Sequence, residues 1–299
     1  MPVVRTVRGP VPADDLKIVL PHEHLIMGLN ADQILDDTEE VAMELKAFAA
    51  GGGGAVVEMT NIGMGRDVGA LVEISERSGV HVIAGTGLYF QKYYPAWVHG
   101  ATIDEITDRF VQEAQVGIDG TGVRPGILGE IGTSGVMTAN EIKVLRAAAR
   151  AQLATGLALS THTDMGFGGL EQLEVLLAEG VRPDRIIIGH QDLHDLDEVR
   201  VAILKRGAYL QLDTFGKGRY RSDEARCADV VKLVGMGYGN RLLLSLDISR
   251  KAYLRCHGGC GYVHLTERIV PRLRELGVSQ VDIDQMVRRN PAEVLSLPN

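Results

Sequence analysis

The chain has 299 residues, 45% of them hydrophobic, and 31 Lys and Arg against 39 Asp and Glu give a formal net charge of -8. That length can bury a large core, while net acidity without a Lys/Arg-rich run excludes a nucleic-acid backbone as partner. No run reaches the roughly 18 apolar residues of a membrane helix and the start lacks a secretory core, so the expectation is a cytoplasmic protein with a small-molecule substrate and no membrane partner.

In chain order, short β-branched runs alternate with longer segments whose apolar residues recur at helical spacing. Strands are predicted over 17–20, 55–59, 81–85, 127–131, 157–161, 185–189, 208–212 and 241–246. Helices are predicted over 37–50, 67–78, 103–116, 139–155, 170–179, 195–205, 223–234 and 262–276. Gly51, Gly79, Gly117, Gly156, Gly180, Gly207 and Gly277 follow seven of these helices, where a left-handed residue would end each one. Eight β/α units closing on themselves make a (β/α)8 TIM barrel, and with no linker or low-complexity segment one barrel domain spans 1–299.

An open doubly wound sheet would place a Gly-rich ligand loop after an early strand. The run Gly51-Gly-Gly-Gly54 precedes its strand, which makes it a helix-to-strand turn rather than a phosphate loop. Three cysteines, an odd number, read as free thiols. The segment Cys256-His-Gly-Gly-Cys260 lacks a second Cys/His pair to complete a structural zinc site.

In Pro21-His22-Glu23-His24, strand alternation points His22 and His24 to one side, where two imidazoles can share a metal. Under the barrel reading Glu130, His162, His190 and Asp247 stand at the ends of strands four, five, six and eight. A barrel's catalytic site is assembled from such strand ends, so these distant residues converge at its mouth. Four histidines and two carboxylates are enough for two divalent ions: Zn²⁺ is the first choice, and Mn²⁺ or Fe²⁺ suits the same donors. Taken singly, each has a plain alternative: a buried hydrogen bond for His162, an Arg partner for Glu130, a helix cap for Asp247.

At these residues the sequence resembles the phosphotriesterase-like branch of the amidohydrolase superfamily. Beyond the histidine pair, Glu58-Met-Thr-Asn-Ile-Gly-Met-Gly-Arg66, Gly129-Glu-Ile-Gly-Thr-Ser134, Ser160-Thr-His-Thr163, Ile188-Gly-His-Gln-Asp192 and Asn290-Pro-Ala carry the resemblance in order along nearly the whole chain. The resemblance implies a binuclear site with His22, His24 and Asp247 on the more buried metal, His162 and His190 on the more exposed one, and Glu130 bridging. Much of that family bridges with a carboxylated lysine. Glutamate here, as in the phosphotriesterase homology proteins, argues against organophosphates as native substrates and implies assembly without bicarbonate. A homodimer is a common outcome for barrels of this kind.

Two metals sharing a hydroxide would supply the nucleophile. Asp247 is then the expected proton shuttle, with His190 or Asp192 relaying the proton onward; Asp192 reads equally well as a group that orients a histidine. The basic segment after strand eight offers Arg250, Lys251 and Arg255 to an anionic substrate, with a solvated loop as the alternative. Tyr89, Arg66 and His257 are further candidates for substrate contact, against packing for Tyr89, an ion pair for Arg66 and the surface for His257. The leading expectation is hydrolysis of a lactone or carboxyl ester, including a phosphorylated sugar lactone. Phosphotriester and N-acyl amide hydrolysis are the alternatives, and a non-catalytic metal-binding barrel is the contrasting class.

Overall fold

The structure, a computed structural model, describes residues 2–297. Two short strands, β1 (Val3–Thr6) and β2 (Gly9–Pro12), pair as an antiparallel hairpin that precedes the barrel. The first barrel strand is β3 (Ile18–Glu23), followed by a small hairpin of β4 (Met27–Asn30) and β5 (Gln33–Leu35). The other barrel strands are β6 (Gly53–Glu58), β7 (His81–Thr86), β8 (Ile127–Thr133), β9 (Ala158–Thr163), β10 (Ile186–Ile188), β11 (Tyr209–Leu212) and β12 (Leu242–Leu244). Each pairs in parallel with its neighbour, in the order β3-β6-β7-β8-β9-β10-β11-β12. All eight predicted strands are present.

Successive side chains on a strand point to opposite faces, and the barrel uses that period of two to build separate inner and outer cores. Val19, Ala55, Val57, Ile83, Ile127, Ala158, Ile187, Tyr209 and Leu243 pack together inside. Their neighbours Leu20, Val56, Val82, Leu128, Leu159, Ile188, Leu210 and Leu244 join the outer core with the helices. Val4, Ala13 and Leu16 from the N-terminal segment and Val294 and Leu295 from the last helix belong to the inner cluster, so they plug the end of the barrel opposite the site. Gly54 permits part of this closure: a Cβ there would lie 2.3 Å from the Leu16 carbonyl oxygen.

Polar residues start the covering helices. Asp37 accepts the Glu39 and Glu40 N–H groups ahead of Thr38–Ala50, and Thr102/Glu105 and Thr138/Glu141 form reciprocal capping boxes before Ile103–Gln115 and Ala139–Thr155. The expected left-handed stops are present at Gly79 and Gly156 (φ 75° and 70°). Two glycines behave otherwise: Gly51 has φ -80° and the positive φ falls on Gly52, while Gly117 takes φ 132°, ψ 151°, outside the left-handed helical region. The helix predicted over 262–276 opens as a π-helix at Leu265–Ile269 before the α-helix Val270–Glu275. Pro271 lacks the N–H that would close the ordinary turn, and the backbone ahead of it widens. The same pairing of π-helix and proline recurs at Gln285–Arg289 and Pro291.

Between β12 and β3 no regular ladder forms. Backbone bonds there run from Asp247 N–H to the His22 carbonyl (3.2 Å) and from His24 N–H to the Ile248 carbonyl (3.1 Å). Among the described residues, no helix is long and apolar enough to cross a membrane.

Candidate metal centre

The strand ends bring His22, His24, Glu130, His162, His190 and Asp247 into one cluster. Glu130 lies at its centre: Oε2 is 3.5 Å from His22 Nε2 and 3.0 Å from His162 Nδ1, and Oε1 is 3.5 Å from His24 Nε2. His24 Nε2 stands 3.4 Å from Asp247 Oδ1, and His190 Nε2 stands 2.7 Å from His162 Nδ1. Two triads of mutually close donors result, His22/His24/Asp247 and Glu130/His162/His190. Among the described residues no Arg pairs with Glu130; its partners are the histidines, so the ion pair considered above is replaced by the cluster.

Three imidazoles are oriented by a group behind them, which leaves the other nitrogen facing the centre. His24 Nδ1 meets Thr60 Oγ1 at 2.8 Å, His190 Nδ1 meets Asp213 Oδ1 at 2.8 Å, and His22 Nδ1 lies 3.2 Å from Asp213 Oδ2. His162 is turned the other way, with Nε2 3.2 Å from the Tyr89 hydroxyl. His190 and Asp247 carry φ of 56° and 50°, a left-handed conformation that costs bulky residues of order 1–3 kcal/mol. Hydrogen bonds hold it: His190 N–H donates to Asp213, and Asp247 N–H to His22.

The donor set fits divalent cations. His22 is fully buried, and its Nε2, which faces the centre, has no hydrogen-bond partner, while Nδ1 stands beside Asp213 without hydrogen-bond geometry. Two imidazole nitrogens facing each other at 2.7 Å beside a carboxylate are, in the same way, an arrangement that a cation would satisfy. Despite burial, Asp213 and Glu130 raise His22 well above the usual histidine range, and Asp213 raises His190; burial and the neighbouring His190 lower His162. Metal-free protein thus holds protons that loading with a cation releases. Burial opposes ionisation of Glu130 and Asp247. The adjacent His162 and His22 nonetheless hold Glu130 well below the usual carboxylate range, and Lys217 and His24 do so for Asp247.

A model of the phosphotriesterase family matches residues 2–295. The chain belongs to the phosphotriesterase family. It is 40% identical over 287 residues to the phosphotriesterase homology protein of Escherichia coli (strain K12), covering 94% of this chain and 98% of that one. A crystal structure of that protein with phosphate in its active site superposes with a TM-score of 0.92, at 39% identity and with 94% and 99% of the two chains covered. The N-acetyltaurine hydrolase of Dictyostelium discoideum is 34% identical, over 88% of this chain and 74% of that one. A lactonase from Listeria monocytogenes superposes with a TM-score of 0.94 at 27% identity, covering 99% and 100% of the two chains. This family member is a hydrolase.

The cluster opens into a cleft of about 160 Å³ lined by Tyr89, Phe90, Lys217, Arg219 and Arg250 among others. Of the substrate candidates, Tyr89 and Arg250 are in this wall and four are not. Arg66 is held in an ion pair with Glu113 (2.7 Å) and Asp119 (2.9 Å), the structural role weighed against substrate contact. Lys251 reaches Asp36 (2.5 Å), Arg255 reaches Glu267 (3.3 Å) and His257 reaches Glu40 (2.9 Å), because the segment after β12 leaves the mouth and docks on the outer helices. A roomier groove of about 640 Å³ beside Trp97 and Arg109 contains none of the cluster.

Asp213, one residue beyond β11, was not anticipated. It fills the seventh strand-end position, and Leu210-Gln-Leu-Asp213 repeats the pattern of apolar strand followed by carboxylate. Burial works against its charge, yet His190 and His22 hold its carboxyl well below the usual range. Asp192 lies a step further out. Its carboxylate accepts from Arg226 Nε (2.7 Å), the Thr214 hydroxyl (2.6 Å) and the Thr214 and Asp213 N–H groups (3.0 and 3.2 Å). Its bonds thus go to the Asp213 turn and to Arg226, the geometry of the orienting role. Lys217 was also missed; its Nζ contacts Asp247 Oδ2.

Glu23 faces away from its two neighbouring histidines and fastens the seam between β12 and β3. Oε1 accepts the Ser245 hydroxyl (2.7 Å) and Leu246 N–H (2.9 Å), and Oε2 accepts Ile248 N–H (2.8 Å), so the bonds bracket Asp247. Burial pushes this carboxyl up from 4.5 to about 7 against the lowering by those donors. An acid raised in the folded state contributes full stability below its unfolded pKa and loses it as pH rises through the folded value. In metal-free protein, urea titrations should show a decline of roughly 3 kcal/mol from pH 4.5 to 7 that Glu23→Gln removes; identical slopes in the two proteins would exclude Glu23 as its source.

Proposed function

We propose that the protein is a binuclear metal-dependent hydrolase acting on a carboxyl ester, foremost a lactone that carries an anionic group, as a phosphorylated sugar lactone does. The observation that carries the substrate class is the placement of Lys217, Arg219 and Arg250 in the wall of the cleft that contains His162, His190 and Asp247, with Arg250 Nε buried and unpartnered. Guanidinium and ammonium groups so placed suit a phosphate or another acid group on the substrate.

His22, His24 and Asp247 would hold one divalent ion and His162 and His190 a second, with Glu130 shared, and Zn²⁺ is the ion we favour. When bound, such ions supply Lewis-acid activation of water and of the scissile carbonyl. The chain's own chemistry centres on Asp247, whose carboxylate is kept ionised by Lys217 and takes the proton of the attacking water before returning one to the leaving alkoxide. His190 is fixed through Nδ1 by Asp213, which leaves Nε2 as its ligand atom and makes Asp213 the group with which it would share a proton. The Tyr89 hydroxyl, which burial and Glu130 raise well above the usual tyrosine range, stays neutral, and its oxygen would accept from His162 Nε2–H when Nδ1 serves as the ligand atom.

A second reading is supported by the relative named N-acetyltaurine hydrolase: the same cations would receive the acid group of an N-acyl amide, and Asp247 would protonate an amine. A phosphotriester, with three neutral substituents, makes no use of them. The test is elemental analysis of purified protein together with rates on lactones, phosphorylated lactones, N-acyl amides and phosphotriesters. The expected outcome is about two metals per chain and the highest kcat/KM on a phosphorylated lactone. Arg250→Ala should raise KM for that substrate by roughly 10–100-fold, the worth of a hydrogen bond to a charged group, and leave a neutral lactone unaffected. Preference for amides would establish the second reading, and less than one tightly bound metal after reconstitution would overturn both.

A further inference from the structure

A second group of metal-binding side chains lies outside the mouth, where the segment after β12 folds against the helix Thr38–Ala50. Arg255–His257 form one 3-10 turn ended by Gly258 at φ 87°. Gly259 N–H donates to the Leu254 carbonyl and Gly261 N–H to the Tyr253 carbonyl, both at 2.8 Å. A Cβ on Gly259 would stand 2.2 Å from the Tyr253 carbonyl, so the fold of this loop requires glycine there. Glu44 secures the turn from the helix side: Oε1 accepts the Arg255 and Cys256 N–H groups at 2.7 and 3.2 Å. Glu40, one turn earlier, presents Oε2 to His257 Nε2 at 2.9 Å. A donor from each of Glu40, Cys256 and His257 then lies within 4.8 Å of the others.

We propose that Glu40, Cys256 and His257 form a third metal site, selective for a borderline-soft divalent ion such as Zn²⁺, that clamps the segment carrying Arg250 onto the first barrel helix. Thiolate, imidazole and carboxylate are the donor types that zinc takes together, and a solvent molecule completes four-coordination at an exposed site. The Cys256 thiol gives up its proton to solvent as the ion binds. A surface ion pair between His257 and Glu40 accounts for two of the groups and leaves the thiol beside them without a role. Cys260 takes no part, because its sulfur packs against Gly216, and Cys227 is buried elsewhere. The motif Cys256-His-Gly-Gly-Cys260 thus supplies two ligands, and the third comes from a helix more than two hundred residues earlier.

Cobalt(II) is a direct probe, because thiolate-to-cobalt charge transfer absorbs in the near ultraviolet and the central cluster of histidines and carboxylates offers no thiolate. The reading is therefore independent of how many ions the cleft holds. Full-length protein titrated with Co²⁺ should develop that band and lose it on adding Zn²⁺. Cys256→Ser should abolish it while retaining the metal content of the central cluster and the far-ultraviolet circular dichroism of the fold. His257→Ala should weaken it by roughly tenfold or more in affinity, and Cys260→Ser should leave it in place. Absence of a thiolate band at saturating Co²⁺, or a band that survives Cys256→Ser, would overturn the site.

Discussion

Replacing Asp247 with Asn is expected to lower kcat by roughly 10²–10⁴-fold, the range lost when a positioned acid or base is removed. Asn keeps an oxygen at the Oδ1 position near His24 and a backbone N–H for His22, so cluster geometry and metal content should persist while the proton-accepting carboxylate is gone. Lys217 sharpens the effect, since its ammonium now faces a neutral amide. Steady-state kinetics on the best substrate, with metal analysis on the same samples, make the comparison. Undiminished turnover on every substrate would remove Asp247 from the reaction and leave it as scaffold alone.

The largest expected loss of stability follows Asp192→Ala. Asp192 and Arg226 are both fully buried, and removing the carboxylate leaves the guanidinium with only its longer contact to Asp223 at 3.5 Å. Breaking such a pair from one side costs about 3–5 kcal/mol. The Thr214 and Asp213 N–H groups lose their acceptor in the same step, which frees the Asp213 turn that orients His22 and His190. Chemical denaturation should register the loss in midpoint, and metal affinity should fall with it. A change under 1 kcal/mol would mean that this network does not hold the turn.

Much of the barrel can be read from the chain because the signal is redundant. Every strand is an apolar run set off from a periodic helix, and Ala139–Thr155 matches its predicted limits. The six central residues were legible for a related reason: histidine and carboxylate at the ends of five of the eight strands have few joint explanations other than convergence. Features outside that repeat were not legible. The hairpin of β1 and β2 contains Pro10 and Pro12, which suit an edge pair but resemble a loop. The helical segment Gln280–Leu295 falls beyond the eighth unit, where no strand follows to frame it. Among cationic side chains, sequence position alone cannot separate Lys217, which enters the cleft, from Lys251, which pairs with Asp36 outside it. The difference is made by the path of the loop after β12, and Glu44, far away in sequence, sets part of that path.

The interior of the barrel is filled below the cluster by Val19, Val57, Ile187, Leu243 and their neighbours, and the N-terminal segment and last helix seal the far end. Among the described residues the barrel therefore has one mouth and no drain. Whatever enters must leave by the way it came, past Arg219 and Arg250, and a product that retains the acid group travels the same charged route as the next substrate. Such a product should inhibit competitively, and turnover at high conversion should slow according to how tightly the entrance holds the departing anion.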